Sequence, residues 1–211
     1  MFENRVGAGR ALARALRKFE REEPVVLGIP RGGVIVAAEV ARELKVGLDV
    51  IIPRKIGAPD NRELAIGAVA GDGQPIMNWE LVKSLNVSKD YIDQRVDEEL
   101  EEIKRRRRQY VGELPGLNVG NKVVLVIDDG LATGYTALAA VKALQMLKPR
   151  KIILASPVAP AETVAKLAPE VDELVCLSTP REFYAVGQFY AEFRQVTDEE
   201  VKETISQLRV A

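Results

Sequence analysis

The stretch from Val123 to Thr136 constrains the fold more than any other part of the chain. Residues 123–127 are five consecutive aliphatic residues, four of them β-branched, and such a run predicts a strand buried on both faces. Two adjacent carboxylates, Asp128 and Asp129, follow the strand, and an alanine-rich helix is predicted from about Gly134. A strand–loop–helix unit directs the free N–H groups of its helix into a crevice at the carboxyl edge of the sheet, where phosphate groups bind.

The two carboxylates indicate that the ligand is more than a phosphate group. Asp128 and Asp129 would repel a bare phosphate at close range, so they should face sugar hydroxyls or a metal-bound group. A phosphorylated sugar meets both demands, because its phosphate can lie in the loop while its diol hydrogen-bonds the carboxylates. Thr133 and Thr136 add hydroxyl donors at the same place. The alternative is a surface turn in which Asp-Asp-Gly only caps the helix.

A second strand–loop–helix unit is predicted nearer the N-terminus. Residues 25–29 predict a short buried strand, which the sequence Pro-Arg-Gly-Gly closes before a helix that runs to Leu44. Gly32 and Gly33 let the backbone approach a ligand closely, and Arg31 adds a fixed positive charge. The alternative is an ordinary turn between a strand and a helix.

The order of the remaining elements predicts an α/β fold. An arginine-rich helix at 8–22 should expose its arginines to solvent, and residues 54–63, with three cations among Gly, Pro and Asn, should form a mobile loop. Helical crossovers join most of the strands, so we expect a three-layer α/β/α domain with a central, mainly parallel five-stranded sheet. The further predicted strands are 48–53, 64–70 (which should resume this sheet), 151–156 and 172–177.

Two segments are predicted as additions to this fold, within a single domain that spans residues 1–211. Residues 79–117 form a helical insertion whose long helix is capped by Ser88 and runs from acidic residues to the arginines at 105–108. These arginines should pair within the helix; the alternative is a grip on polyanions. Residues 178–211 form a C-terminal hood rich in Phe and Tyr, whose rings either stack on a flat base or pack in the core.

Composition excludes several classes of function. The formal net charge is −1, which argues against a general binder of nucleic acid or of anionic membranes. No apolar run approaches the roughly 18 residues of a membrane span, and the single cysteine, Cys176, favours a reducing compartment; we therefore expect a cytoplasmic protein. The chain has no histidine, which excludes Ser-His-Asp triads and most zinc sites.

The sequence Val-Ile-Asp-Asp-Gly-Leu-Ala-Thr-Gly at 126–134 resembles the signature of type I phosphoribosyltransferases, the loop that binds 5-phosphoribosyl-1-diphosphate (PRPP). The resemblance implies that the loop binds the 5-phosphate and that Asp128 and Asp129 bind the ribose hydroxyls. It also implies a diphosphate loop after the first strand. The substrate-binding residues expected in the two loops are Arg31, Gly32, Gly33, Gly130, Ala132, Thr133, Gly134, Tyr135 and Thr136.

In this family a flexible basic lid closes over PRPP between the second and third strands. Arg54, Lys55 and Arg62 resemble that lid, although a solvated basic loop is the alternative. We expect Arg54 and Lys55 to neutralise the leaving diphosphate, which makes them, with Asp128 and Asp129, the predicted catalytic residues. The resemblance further implies Mg²⁺ bound mainly to PRPP, with few or no protein ligands, the two aspartates being the nearest candidates.

The acceptor is not fixed by these motifs. The chain resembles a group of bacterial and archaeal proteins identified as phosphoribosyltransferases of unassigned acceptor, which share Pro-Arg-Gly-Gly and a Phe-Tyr-Ala-Val-Gly segment. The resemblance implies transfer of the phosphoribosyl group from PRPP to a nucleobase-like acceptor. We also expect a role in nucleotide salvage and a homo-oligomer, namely a dimer. One alternative is a PRPP sensor with little or no turnover. A sugar-phosphate hydrolase is disfavoured because no nucleophile-plus-acid arrangement lies near the loop.

Overall fold

A parallel sheet of five strands organises the chain. The computed structural model describes residues 1–62, 64–70, 75–113, 115–116 and 118–209. Its strands are β1 (Val25–Gly28), β2 (Leu48–Val50), β3 (Pro53–Gly57), β4 (Ala65–Ala70), β5 (Ile76–Met77), β6 (Val123–Ile127), β7 (Lys151–Val158) and β8 (Glu173–Ser178). Its α-helices are α1 (Arg5–Leu16), α2 (Gly32–Leu44), α3 (Trp79–Ser84), α4 (Lys89–Val111), α5 (Tyr135–Met146), α6 (Ala161–Leu167) and α7 (Asp198–Ser206).

The central sheet has the strand order β2-β1-β6-β7-β8, and every pairing in it is parallel. The predicted central sheet is therefore confirmed. In this sheet β2 lies on one side of β1, whereas β6 and the later strands lie on the other side of β1. Such a reversal opens a crevice between the carboxyl ends of two neighbouring strands, where ligands of open α/β sheets bind. Here those two strands are β1 and β6.

Strand β6 shows why the sequence carries an unbroken apolar run. All five of its residues are buried. Val123, Leu125 and Ile127 face a core shared with α1, α2 and α7, whereas Val124 and Val126 face a second core shared with α5. Because successive side chains of a strand point to opposite faces, a strand covered on both sides must be apolar at every position. The predicted three-layer arrangement is confirmed.

A second, smaller sheet corrects the prediction for residues 54–70. Strands β3, β4 and β5 form an antiparallel sheet of their own, so residues 64–70 do not resume the central sheet. The first part of the predicted loop is strand β3, in which Arg54 pairs with Val69 and Lys55 with Ala68. Arg62 lies in the turn that follows β3. In composition, a strand that carries two cations resembles a loop. The pairing that makes it a strand depends on a second segment and cannot be seen in its own residues.

The small sheet and the predicted helical insertion share one core. Ile56 and Ile66 of the sheet pack with Ile92 and Val96 of α4. The predicted long helix is confirmed: the Ser88 hydroxyl accepts a hydrogen bond from the N–H of Tyr91 at 3.3 Å. Of its arginines at 105–108, Arg105 and Arg106 pair within the helix, with Glu102. Arg107 and Arg108 instead pair with Asp49 and Glu113, which lie outside α4. Neither α4 nor any other helix in the described ranges is long and apolar enough to cross a membrane.

Candidate functional site

The two predicted ligand loops lie in direct contact at the carboxyl ends of β1 and β6. The N–H of Ile29 donates to the carbonyl oxygen of Ile127 at 2.9 Å, which extends the pairing beyond the strand ends. A Cβ atom added to Gly33 would lie 2.7 Å from that same carbonyl oxygen, and one added to Gly32 would lie 1.9 Å from Oδ2 of Asp129. The close approach of the other loop therefore leaves no room for a side chain at either position unless a neighbouring group shifts.

The two aspartates at this contact, Asp128 and Asp129, form an acidic pair. Asp128 Oδ1 accepts a hydrogen bond from the N–H of Asp129 at 2.8 Å, and Asp129 Oδ2 accepts one from Nε of Arg5 at 2.6 Å. Burial, followed by the charge of the Asp129 carboxylate, raises the pKa of Asp128 well above its usual value of 3.8, and the charge of Arg5 opposes that shift. Asp128 is thus a carboxyl group that ionises at a cost.

We expect the substitution Asp128→Asn to stabilise the fold increasingly as the pH rises above about 3.8, the usual carboxyl pKa. Between that value and the raised pKa of the folded state, the native protein holds a proton that the unfolded chain has lost. Wild-type stability therefore falls with rising pH in this window. Asparagine keeps the oxygen that accepts from Asp129 N–H but cannot ionise, so it escapes this loss.

The measurement is urea unfolding of wild type and Asp128→Asn at several pH values from 4 to 8. The difference in unfolding free energy should grow with pH for as long as the pH stays below the raised pKa. Asp129→Asn is the matched control. It removes a carboxylate paired with Arg5, so it should lower stability instead. A pH-independent difference for Asp128→Asn would contradict the raised pKa.

The predicted phosphate loop, residues 132–136, runs into the first turn of α5. Gly134 has φ of +73°, in the left-handed region, and a Cβ there would meet Leu167 and Thr163 of α6 at 2.8 and 2.9 Å. The Thr163 hydroxyl donates to the carbonyl oxygen of Ala132 at 2.6 Å, so α6 supports the loop from behind. The N-cap residue of α5 is Gly134, which has no side chain to cap the helix, and Thr133 and Thr136 are exposed there. Uncapped N–H groups and two hydroxyls suit a phosphate.

The C-terminal hood packs directly against the backbone of Asp129 and Gly130. The Tyr190 hydroxyl donates to the carbonyl oxygen of Asp129 at 2.5 Å, and a Cβ on Gly130 would lie 2.3 Å from the side chain of Val186. Phe183, Phe189 and Tyr190 pack with Phe2 and Val158 in a small apolar cluster. Core packing is therefore the role of these three rings, whereas Tyr184 is 85% exposed.

Arg31 lies at the start of α2, next to the N-terminus of α7. Its guanidinium NH1 is 3.8 Å from Oδ1 of Asp198, and the same oxygen accepts a hydrogen bond from the Tyr110 hydroxyl at 2.8 Å. The Pro30–Arg31 peptide bond is cis. The Arg31 side chain is 38% exposed, so an anion from solvent can reach its charge.

The two predicted lid cations point in opposite directions. Arg54 donates from Nε to Oε2 of Glu99 on α4 at 2.6 Å. Side chains alternate along a strand, so Lys55 lies on the other face, together with Ala68, its partner in β4. That face also carries Ala70, which packs in the core formed with α5. Lys55, which is exposed, is thus on the face of β3 that is turned toward α5, and Arg54 is on the opposite face, toward α4.

Arg5 is the site residue that sequence reasoning missed. It is separated from Asp129 by 124 positions, and an arginine next to an arginine-rich helix resembles the other solvated cations. Tyr190 was missed in the same way, since five aromatic residues lie between 183 and 193 and nothing in their order marks one of them. Only the fold brings these residues to the loop.

The donor atoms present here fit a magnesium ion that arrives with its substrate. Throughout the described ranges, no group of three or more His, Cys, Asp or Glu side chains is arranged to hold a metal ion. Asp128 and Asp129 offer carboxylate oxygens, but Asp129 already pairs with Arg5. A hard cation here would need most of its oxygen ligands from the phosphate and hydroxyl groups of the substrate.

Comparisons with known sequences point to one family. The family model of the phosphoribosyl transferase domain matches residues 4–193. Two curated proteins from Mycobacterium tuberculosis strains, provisionally named phosphoribosyl transferases, are 40% identical to this chain over 201 residues, which is 95% of this chain and 45% of each relative. The chain thus spans about half the length of the curated relatives it matches.

Solved structures extend the match to the whole fold. A protein of Thermus thermophilus superposes with a TM-score of 0.88 at 38% identity, and the alignment covers 99% of both chains. A protein of Aquifex aeolicus, at a TM-score of 0.51 and 13% identity, covers 96% of this chain and 84% of its own, which is a likeness of fold alone. On the family match and the type I α/β architecture together, this chain belongs to the phosphoribosyl transferase domain family of transferases.

Proposed function

We propose that this protein transfers the 5-phosphoribosyl group of PRPP to a nucleobase-like acceptor and releases diphosphate. The observation that carries the proposal is the contact between the two loops, in which Gly32 and Gly33 press against the acidic pair. A ligand in this crevice would meet an uncapped helix N-terminus at one end and a glycine loop at the other, with carboxylates between them. PRPP has a 5-phosphate and a 1-diphosphate at its two ends, with the ribose diol between them.

In the proposed reaction, the bond from the anomeric carbon to the diphosphate oxygen breaks as an acceptor nitrogen attacks that carbon. The ribose gains positive charge in the transition state, so nearby carboxylates stabilise it more than the ground state. Asp128 and Asp129 would hold the ribose hydroxyls, and the Asp129 carboxylate, which is paired with Arg5, would supply negative charge. The N–H groups and hydroxyls from Ala132 to Thr136 would hold the 5-phosphate and so fix the ribose in place.

Diphosphate leaves with additional negative charge, which Arg31 and Lys55 would neutralise. Arg54 is withdrawn from this role because its guanidinium is held by Glu99 on the opposite face of β3. Mg²⁺ bound to the diphosphate and the ribose hydroxyls would supply further charge neutralisation. The backbone of Gly32 and Gly33 can approach the diphosphate closely, since neither residue has a side chain to block it.

We place the acceptor under the hood, with the exposed ring of Tyr184 as its stacking surface. A role in nucleotide salvage, a cytoplasmic location and a homodimeric state belong to the same proposal. Sedimentation of the purified chain tests the dimer independently of activity.

The test is to incubate the protein with PRPP, Mg²⁺ and a panel of nucleobases and amines, and to follow the release of diphosphate. We expect turnover with at least one acceptor and a loss of roughly a hundred-fold in kcat/KM for Lys55→Ala, since neutralising a leaving group contributes about 3 kcal/mol. Lys83→Ala, an exposed lysine on α3, is the matched control and should retain full activity.

Other outcomes are equally informative. If PRPP binds but no acceptor is used, and Lys55→Ala binds PRPP as wild type does, the protein is a PRPP sensor. If PRPP does not bind at all, both functions are excluded.

A further inference from the structure

We propose that Arg5 is a positioning residue of this site, which holds the Asp129 carboxylate in place for the ribose diol and joins the hood to the two substrate loops. The inference rests on the proposed function, because it assigns Asp129 to the diol. It adds a residue from outside both ligand loops, which none of the recognised motifs includes.

The guanidinium of Arg5 has three partners from different parts of the chain. Its Nε donates to Asp129 Oδ2 at 2.6 Å, and its NH1 donates to the carbonyl oxygen of Arg194 at 2.8 Å. Its central carbon lies 3.8 Å from the centre of the Phe193 ring. The Arg5 side chain is only 11% exposed. A planar cation that donates in its plane and stacks through its face is fixed in orientation, which a lysine could not reproduce.

Arg5 also borders the proposed diphosphate loop. A Cβ added to Gly32 would lie 2.7 Å from Nε of Arg5 as well as 1.9 Å from Oδ2 of Asp129. The start of α1, the diphosphate loop, the acidic pair and the hood therefore all meet at one ion pair.

The backbone that carries Arg5 is held on both sides. Asn4 caps α1 through a hydrogen bond from the N–H of Gly7 to its Oδ1 at 2.9 Å. The N–H of Phe2 donates to the carbonyl oxygen of Phe189 at 2.7 Å, and the N–H of Ala191 donates to the carbonyl oxygen of Phe2 at 2.8 Å. The guanidinium therefore projects from an anchored segment, which is what a residue that orients another one requires.

The acidic pair explains why such an anchor is needed. The Asp129 carboxylate lies next to the Asp128 carboxyl group in a site that must also admit a polyanion, so it would turn away from the polyanion if it were unpaired. A charge-assisted hydrogen bond from Arg5 opposes that rotation and offsets one negative charge. The carboxylate then already faces the ribose when the ligand arrives, which lowers the ordering cost of binding.

The experiment compares ribose 5-phosphate with 2-deoxyribose 5-phosphate by isothermal titration calorimetry. Both ligands carry the same phosphate, and they differ in one hydroxyl of the diol. Their ratio of Kd values therefore reports the hydrogen bond to the diol, and general losses of charge or stability cancel. In wild type we expect a preference of roughly ten-fold for ribose 5-phosphate, as for one hydrogen bond to a charged group.

In Arg5→Ala that preference should fall to about two-fold or less, and Arg5→Lys should restore part of it. Arg10→Ala is the matched control on the same helix: it removes an ion pair with Glu39 of α2 at 3.0 Å, and the Arg10 side chain is 68% exposed. Its preference should equal that of wild type.

Two contrary results separate the inference from the proposed function. If Arg5→Ala keeps the wild-type preference, Arg5 only fastens the hood and the inference is overturned, while the proposed function stands. If wild type itself shows no preference, the assignment of the aspartates to the diol fails, and the inference fails with it. Should Arg5→Ala not fold, Arg5→Lys decides: a full wild-type preference at its weaker, single-point contact overturns the orienting role, and a reduced preference supports it.

Discussion

Replacing Gly32 with alanine is expected to abolish PRPP binding while leaving the fold in place. The new Cβ would lie 1.9 Å from Oδ2 of Asp129 and 2.7 Å from Nε of Arg5, far inside contact distance. Both atoms belong to side chains that can move, so the protein should relieve the clash by turning the Asp129 carboxylate out of the site and breaking its ion pair. We expect PRPP affinity to fall at least about a hundred-fold, since the loss combines a displaced ligand group with an unpaired charge.

Two other glycines make this result interpretable. Gly7→Ala on α1 is the neutral control, because its Cβ would meet only Asn4 and Glu3, at 3.7 and 3.9 Å. Gly33→Ala should instead cost stability, since its Cβ would lie 2.7 Å from the carbonyl oxygen of Ile127 and 2.9 Å from the Cα of Asp128, and backbone cannot move aside cheaply. Calorimetric titration with PRPP and thermal unfolding together separate the two effects. Wild-type affinity in Gly32→Ala would refute the loop contact.

The contact between the loops was predictable because its signals are local and its geometry is general. An apolar run such as residues 123–127 marks a doubly covered strand, and parallel strands place their carboxyl ends at one edge. Two strand–loop–helix units of this kind, whose loops end at Gly33 and at Thr136, must therefore face the same crevice. The five strands of the central sheet and the shared edge of the two loops followed from these rules, whereas the place of residues 64–70 did not.

Residues 54–70 could not be predicted in this way. The sequence of β3 joins two cations to Pro and Gly, which favours a loop, and the pairing with β4 that overrides this composition is a property of both strands together. The same limit applies to Arg54, whose counter-charge on α4 lies 45 positions away. Arg5 is the extreme case, since its three partners, Asp129, Phe193 and Arg194, all come from the far half of the chain. Long-range polar partners leave no periodic signal.

Removal of the Glu99 side chain should loosen the small sheet from α4 and destabilise the protein by about 2–3 kcal/mol. Glu99 is 5% exposed, and its two oxygens accept hydrogen bonds from Arg54 and Arg95, each at 2.6 Å. In Glu99→Ala both guanidinium groups lose a buried counter-charge. The cost should be lower than for a fully buried pair, because the Arg54 side chain remains one third exposed. The melting temperature should fall by roughly 5–12 °C for a chain of this length.

Glu98 provides the matched control for this prediction. It is adjacent on α4 and also pairs with Arg95, but its side chain is 46% exposed, so Glu98→Ala should cost less than about 1 kcal/mol.

The pair of Arg54 with Glu99 also separates the roles of the two lid cations, because it holds the Arg54 guanidinium on the face of β3 opposite to Lys55. Arg54→Ala should resemble Glu99→Ala in stability and spare kcat, whereas Lys55→Ala should spare stability and lower kcat. A large fall in kcat for Arg54→Ala at unchanged stability would return Arg54 to the catalytic residues.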